Sequence, residues 1–193
     1  MTIWHWVRHG PTHQKTFVGW RDVPADLSDT ATLDRLRRHL PQKATLVSSD
    51  LKRCVATADA LRGPGHTYLP PIKDLREINF GVWDGMHHRD ISKRDPKLSR
   101  AFWETPGDIA APEGESWNET AGRVSAVVDG LNAAHPDVEI IAVAHFGVIL
   151  TQLQRALAVT AYDVMAHKID NLSVTTLVYD HGSWKAEQIN HLP

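Results

Sequence analysis

The sequence predicts an α/β domain built on a largely parallel sheet. Three short runs carry that expectation: Ile3 to Val7, Thr45 to Ser49 and Val138 to Ala144. Each reads as a buried strand that finishes in a loop. Segments with helical spacing follow the second and third runs, over Leu51 to Leu61 and Val148 to Leu157. Strands that alternate with helices leave room for crossover connections, and crossovers make parallel pairs.

Taken in chain order, the first strand ends in Arg8, His9, Gly10 and Pro11, which stop an extended run. The basic cluster Arg35, Arg37 and Arg38 is placed on a surface helix, where it solvates the outer face. From Asp84 to Glu115 the pattern is broken by Pro96, Pro106, Gly107, Pro112 and Gly114, so short helices and loops are expected. Ser116, with Glu119 three residues on, forms a capping box; Ala121, Val124, Val127, Val128 and Leu131 then repeat at helical spacing. That is one long amphipathic helix. Val174 to Tyr179 and Trp184 to Ile189, joined through Asp180, His181, Gly182 and Ser183, read as a hairpin that adds an antiparallel element.

Composition narrows the class. The chain has 193 residues, 42% of them hydrophobic, which suits one domain over residues 1–193. Twenty-one Lys and Arg against twenty-three Asp and Glu give a formal net charge of −2, so a nucleic-acid partner is not expected. The longest uncharged run, Ile140 to Gln154, is short for a membrane span and contains His145, Gln152 and Gln154. Membrane association is not expected either. A single cysteine, Cys54, and the lack of a secretory signal pattern point to a reducing compartment, the cytoplasm. Oligomeric state is left open.

Spacing rules out several familiar sites. Cys54 is followed six residues later by Ala60, so it lacks the arginine of a thiolate phosphatase loop. Gly114-Glu115-Ser116-Trp117-Asn118 fails the serine nucleophile elbow at its last position. Walker, dinucleotide-glycine and HExxH motifs are missing, and His87 and His88 have no second ligand pair at metal spacing. No metal and no cofactor are expected.

What remains is Arg8-His9-Gly10-Pro11-Thr12 after the first strand and Ala144-His145-Phe146-Gly147 after another. Ser48-Ser49-Asp50-Leu51-Lys52-Arg53 stands in the same place after the intervening strand. The C-terminal ends of parallel strands line the ligand crevice, so these groups are expected to converge. Phosphoryl transfer calls for such a set, because the reacting group spreads negative charge over three oxygens that must be held in place. Arg8 and Arg53 can clamp those oxygens bidentately and disfavour protonation of His9, leaving a neutral nucleophile. His145 can donate to the phosphate. Glu77, flanked by apolar residues, can protonate the leaving oxygen and later deprotonate water. Thr12 either holds the loop or touches phosphate. Glu115 reads as a first-turn helix residue rather than a catalyst, and Asn171 and Ser173 as supports of the site.

In order along the chain, Arg8-His9-Gly10-x-Thr12, Ser48-Ser49-Asp50-Leu51-x-Arg53, Glu77 with Phe80-Gly81-x-Trp83, Gly114-Glu115-Ser116, His145-x-Gly147 and Asn171-x-Ser173 resemble the histidine phosphatase superfamily in its phosphoglycerate mutase-like branch. The resemblance runs from Ile3 to about Tyr179. It implies a three-layer α/β/α sandwich with a mostly parallel central sheet and a small irregular cap over the site, residues 84–115. It also implies metal-independent hydrolysis of a small phosphorylated metabolite. His9 is then the phosphorylated residue, Arg8, Arg53 and His145 the phosphate pocket, and Glu77 the proton donor. The runner-up activity is a cofactor-dependent phosphoglycerate mutase. A catalytically silent phosphate-binding module is the rival from another class. Small relatives also remove the nucleotide-loop phosphate in cobalamin assembly, though no residue here singles out that substrate.

Two departures from the family pattern bear on binding. Lys15 stands where many relatives have asparagine, and its extra charge is expected to meet phosphate or another acidic group of the substrate. Phe146 stands in the first of two usual glycine positions, beside the phosphate site.

Overall fold

The computed structural model describes residues 1–193. The strands are β1 (Thr2–Arg8), β2 (Ala44–Ser48), β3 (His66–Tyr68), β4 (Glu139–Ala144), β5 (Val174–Asp180) and β6 (Ser183–His191). The helices are α1 (Thr30–His39), α2 (Lys52–Leu61), α3 (His88–Arg94), α4 (Pro96–Glu104), α5 (Trp117–Ala134), α6 (Phe146–Leu157) and α7 (Ala161–Val164). None of the helices is long and apolar enough to cross a membrane.

All six strands form one sheet in the order β3-β2-β4-β1-β5-β6. β3, β2, β4 and β1 pair in parallel, and β5 and β6 add an antiparallel edge. Successive side chains of a strand face opposite sides, and that alternation builds two cores. On β1 and β4, Trp4, Trp6, Ile140, Ala142 and Ala144 pack with Val124 and Val128 of α5 and Val148, Ile149 and Leu153 of α6. Val7, Ile141 and Val143 face the other way, onto Leu33 and Leu36 of α1 and Cys54, Ala58 and Leu61 of α2. Helices therefore cover both faces, which is the expected three-layer sandwich.

Local signals set some of the element ends. Ser116 Oγ accepts from the Glu119 N–H at 3.2 Å while Glu119 Oε2 accepts from the Ser116 N–H at 2.7 Å, so the capping box closes in both directions. The β5–β6 hairpin pairs Asp180 with Ser183 across His181 and Gly182, whose φ angles are 44° and 90°. Two left-handed residues give the turn that matches strand twist. β3 has no counterpart among the sequence expectations. It is three residues long at the edge of the sheet, and none of its residues is buried, so no apolar run marks it.

Residues 84–115 contain the expected short helices, α3 and α4. Ile91, Phe102 and Ala111 bury themselves in the larger core beside Trp83. Glu115 is not a first-turn helix residue. It precedes the cap Ser116 and turns back to pair with Arg123 at 2.8 Å, because the capping box already assigns the first turn to Glu119.

β1 and β4 are neighbours in space although 136 residues separate each pair in their register, as in Trp4 with Ile140 and Arg8 with Ala144. The chain leaves β1 toward β2 with β4 lying between them, and α1 and α5 run on opposite faces. This is a topological switch point, where an open sheet leaves a crevice beyond its strand ends.

Candidate active site

His9 and His145 are the first residues beyond β1 and β4, so the parallel register that pairs Arg8 with Ala144 sets them side by side. The His9 N–H donates to the Ala144 carbonyl at 3.1 Å, and the Ser49 N–H donates to the Val143 carbonyl at 3.0 Å. The two imidazoles meet edge to face with centroids 5.1 Å apart.

The protonation of His9 follows from its one short contact. Nδ1 lies 2.7 Å from the Gly10 carbonyl oxygen, which only accepts, so Nδ1 carries the hydrogen. Nε2 then keeps its lone pair. Burial holds the His9 pKa down to about 3, with the charge of Arg53 and then of Arg8 adding to the effect. These effects favour the neutral imidazole, and removal from water contributes more to it than the arginines do.

Arg8 and Arg53 differ in how much of each guanidinium is committed. Arg8 donates from Nη1 to the Ile169 carbonyl at 2.7 Å and stacks over the Phe146 ring at 5.5 Å. Its Nε–H is buried without a partner. Arg53 is fully buried and donates from Nη2 to the Gly19 carbonyl at 2.7 Å, from Nη1 to the Arg21 carbonyl at 3.0 Å and from Nε to His145 Nδ1 at 3.2 Å. Each Nη retains a second N–H.

That Arg53 contact also decides the state of His145. A donor facing Nδ1 requires a lone pair there, so the hydrogen sits on Nε2, which donates to Ser49 Oγ at 2.9 Å. Burial, with Arg53 second, holds the His145 pKa well below its usual value. Both of its nitrogens are engaged within the protein. A direct bond to phosphate requires His145 to exchange Ser49.

Glu77 is 7% exposed, and burial raises its pKa despite bonds from the backbone N–H groups of Ile78 and Gly147. Gly147 is the second residue of α6, so Glu77 also faces the positive end of that helix. Arg76 is not its partner. The Arg76 guanidinium forks onto Asp50, with Nε and Nη2 each at 2.7 Å from a carboxylate oxygen.

A family model described as the histidine phosphatase superfamily (branch 1) matches residues 5–192. The chain belongs to that superfamily. This histidine phosphatase is 30% identical to an adenosylcobalamin/alpha-ribazole phosphatase of Salmonella typhimurium over 88% of its own length and 86% of the relative. It is 31% identical to a glucosyl-3-phosphoglycerate phosphatase of Mycolicibacterium vanbaalenii over 74% of its own length and 68% of the relative. Among solved structures, Bacillus stearothermophilus YhfR superposes with a TM-score of 0.89 at 24% identity, covering 100% of this chain and 98% of that one. The activity that goes with this membership is phosphatase chemistry on small phosphoesters.

Around the five central residues of this histidine phosphatase, a second set holds the backbone. Asn171 Nδ2 donates to the His9 carbonyl at 2.8 Å, and Ser173 accepts the Arg8 N–H at its carbonyl, so both support the first loop. Arg123 is a residue that sequence reasoning missed. From α5 it donates to the carbonyls of Asp74, Arg76 and Glu77, each at 2.8 Å, while forking onto Glu115. Trp20 Nε1 donates to the same Glu77 carbonyl at 2.8 Å. The one sequence signal for Arg123 is its place one turn beyond Thr120 and two turns beyond the Ser116 cap of the long helix, a spacing that surface arginines share. Thr12 is half-buried and Lys15 exposed, both on the loop after β1.

A cavity of about 200 Å³ adjoins Glu77, with Phe80, Trp103, Trp117, Phe146 and Met165 in its walls. No group of three or more His, Cys, Asp or Glu side chains is arranged to hold a metal ion. His87 and His88, with rings 6.3 Å apart, are both exposed.

Proposed function

We propose that this protein hydrolyses small phosphomonoesters through a phosphohistidine on His9. The observation that carries the reading is the Nδ1–H bond from His9 to the Gly10 carbonyl, which leaves a neutral ring with its Nε2 lone pair free beside the unpartnered Nε–H of Arg8. Nε2 attacks phosphorus while the bond to the leaving oxygen breaks. Arg8 and the remaining N–H groups of Arg53 receive the equatorial oxygens. Glu77, kept protonated to higher pH by burial, gives its proton to the leaving oxygen. The resulting carboxylate takes a proton from water, the hydroxide attacks the phosphohistidine, and inorganic phosphate leaves with His9 restored.

Residues 84–115 serve in this reading as a cap, since Trp103 of α4 faces the same cavity as Glu77. Lys15, exposed on the loop after β1, is free to meet the phosphate of the substrate. The fully buried free thiol of Cys54 suits a reducing compartment, and the cytoplasm is the location this reading carries.

Rapid quenching during turnover of p-nitrophenyl phosphate tests the proposal. Acid-labile phosphate on His9, lost in His9→Ala together with turnover, is the expected result. Label on another residue, or near-normal turnover by His9→Ala, overturns it. With 3-phosphoglycerate primed by the 2,3-bisphosphate, release of inorganic phosphate is expected to outpace formation of 2-phosphoglycerate; the reverse would identify a mutase.

A further inference from the structure

We propose that the alcohol released from the substrate is uncharged and apolar, one or two rings in size, and that it is bound in the cavity beside Glu77. The inference rests on the hydrolase reading above and names its substrate class.

Position comes first. Glu77, the group proposed to protonate the leaving oxygen, forms part of the cavity wall. The leaving group must extend from that oxygen, so the space next to Glu77 is where its carbon skeleton goes. Phe146 is shared between the two halves of the site, lying over the Arg8 guanidinium at 5.5 Å while lining the cavity. One ring thus separates a cationic phosphate end from an apolar end.

The chemistry of the walls decides the class. Six of the eight lining residues are hydrophobic, and Glu77 is the one ionisable group. The indole N–H of Trp117 is already given to Gln154 Oε1 at 2.7 Å, so it offers nothing to a ligand. Trp103 is held in place by ring contacts to Phe17, Phe80 and Phe102, with centroids 5.7, 6.5 and 4.8 Å away. Lys15 and Arg21 are not among the lining residues, and Arg21 is turned to Thr16, Phe17 and Asp84. A carboxylate on the leaving group would lose its water here without gaining a cation or a free donor. An aromatic or aliphatic group loses only the water it is better without. At about 200 Å³ the space is below the roughly 300–1,000 Å³ of pockets for drug-sized ligands, which limits the group to one or two rings.

The test compares kcat/KM of the whole protein for benzyl and 1-naphthylmethyl phosphate with that for 3-phosphoglycerate and O-phosphoserine. All four are esters of alkyl alcohols, so demand for a proton on the leaving oxygen is similar. The expected result is an advantage of at least about tenfold for the two apolar esters. Met165→Lys, which puts a cation in the cavity wall, is expected to shrink that ratio by raising 3-phosphoglycerate relative to benzyl phosphate. Phe146→Gly, which also uncovers Arg8 and so slows all four esters, is expected to shrink the ratio by weakening the apolar esters more than 3-phosphoglycerate. Equal or better turnover of 3-phosphoglycerate by the unmodified protein overturns the inference and leaves the hydrolase reading standing. No turnover of any ester, p-nitrophenyl phosphate included, overturns both.

Discussion

Gly147 donates its backbone N–H to Glu77 Oε1 at 3.0 Å, and a methyl group in place of its α-hydrogen would stand 2.5 Å from that same oxygen. The side chain of Ile78 is nearly as close to that position, at 2.9 Å. The second glycine position after His145 is therefore the one that lets a buried carboxyl approach the helix end. Phe146 occupies the first position without that conflict, because its ring turns toward Arg8.

Gly147→Ala is accordingly expected to displace the Glu77 carboxyl while leaving the fold intact. Overpacking at such a contact costs about 1–3 kcal/mol, measurable by urea unfolding. Misplacement of a proton donor is expected to lower kcat for benzyl phosphate by about 100-fold. An unchanged kcat would mean that the carboxyl position does not matter to the reaction.

Glu77→Gln separates proton donation from mere positioning. The amide keeps the shape and cannot donate a proton of the required acidity, so alkyl phosphates are expected to slow by about 10²–10⁴-fold. p-Nitrophenyl phosphate, whose leaving group needs little help, is expected to slow far less. The raised pKa of Glu77 also implies that turnover of alkyl esters falls as pH climbs through that value, and this limb should vanish in the variant. Equal slowing of both ester types would assign Glu77 a structural role.

Acid is expected to destabilise the protein through His9. Its folded pKa, about 3, lies below the ordinary 6.5, so the unfolded chain binds the proton first. Stability that is complete above 6.5 is lost as pH falls toward 3. Between pH 7 and pH 5 the loss from this one group is about 2 kcal/mol at most. His145, shifted in the same direction, adds to it. The difference between urea midpoints at the two pH values should therefore narrow in His9→Asn, and an unaltered difference would place the titrating group elsewhere.

Chelation is expected to leave the rate unchanged. Charge stabilisation is assigned to Arg8 and Arg53, and no acidic or histidine cluster is disposed to hold a cation near them. Loss of turnover with EDTA, restored by zinc or magnesium, would contradict the assignment.

Much of this protein is local enough to be written in its sequence. Apolar runs of five to seven residues mark β1, β2 and β4, and the turn chemistry of His181-Gly182 and the Ser116–Glu119 capping box mark their elements because each acts within a few residues. The motifs after the strands name Arg8, His9, Arg53 and His145, and the segment from Glu77 to Trp83 names Glu77. What those side chains do to one another required the tertiary structure. The tautomer of His145 depends on Arg53, 92 residues away, and the approach of Glu77 to Gly147 spans 70. Arg123 reads as any polar position of a helix until the backbone of Asp74 to Glu77 is laid against it. The apolar cavity is likewise assembled from Ile78, Trp103, Trp117, Phe146 and Met165, residues that share no period and no motif. Periodicity and capping record interactions between near neighbours in the chain; hydrogen bonds, burial and desolvation at the site depend on the order in which β4 enters between β1 and β2, and nothing within any one segment encodes that order.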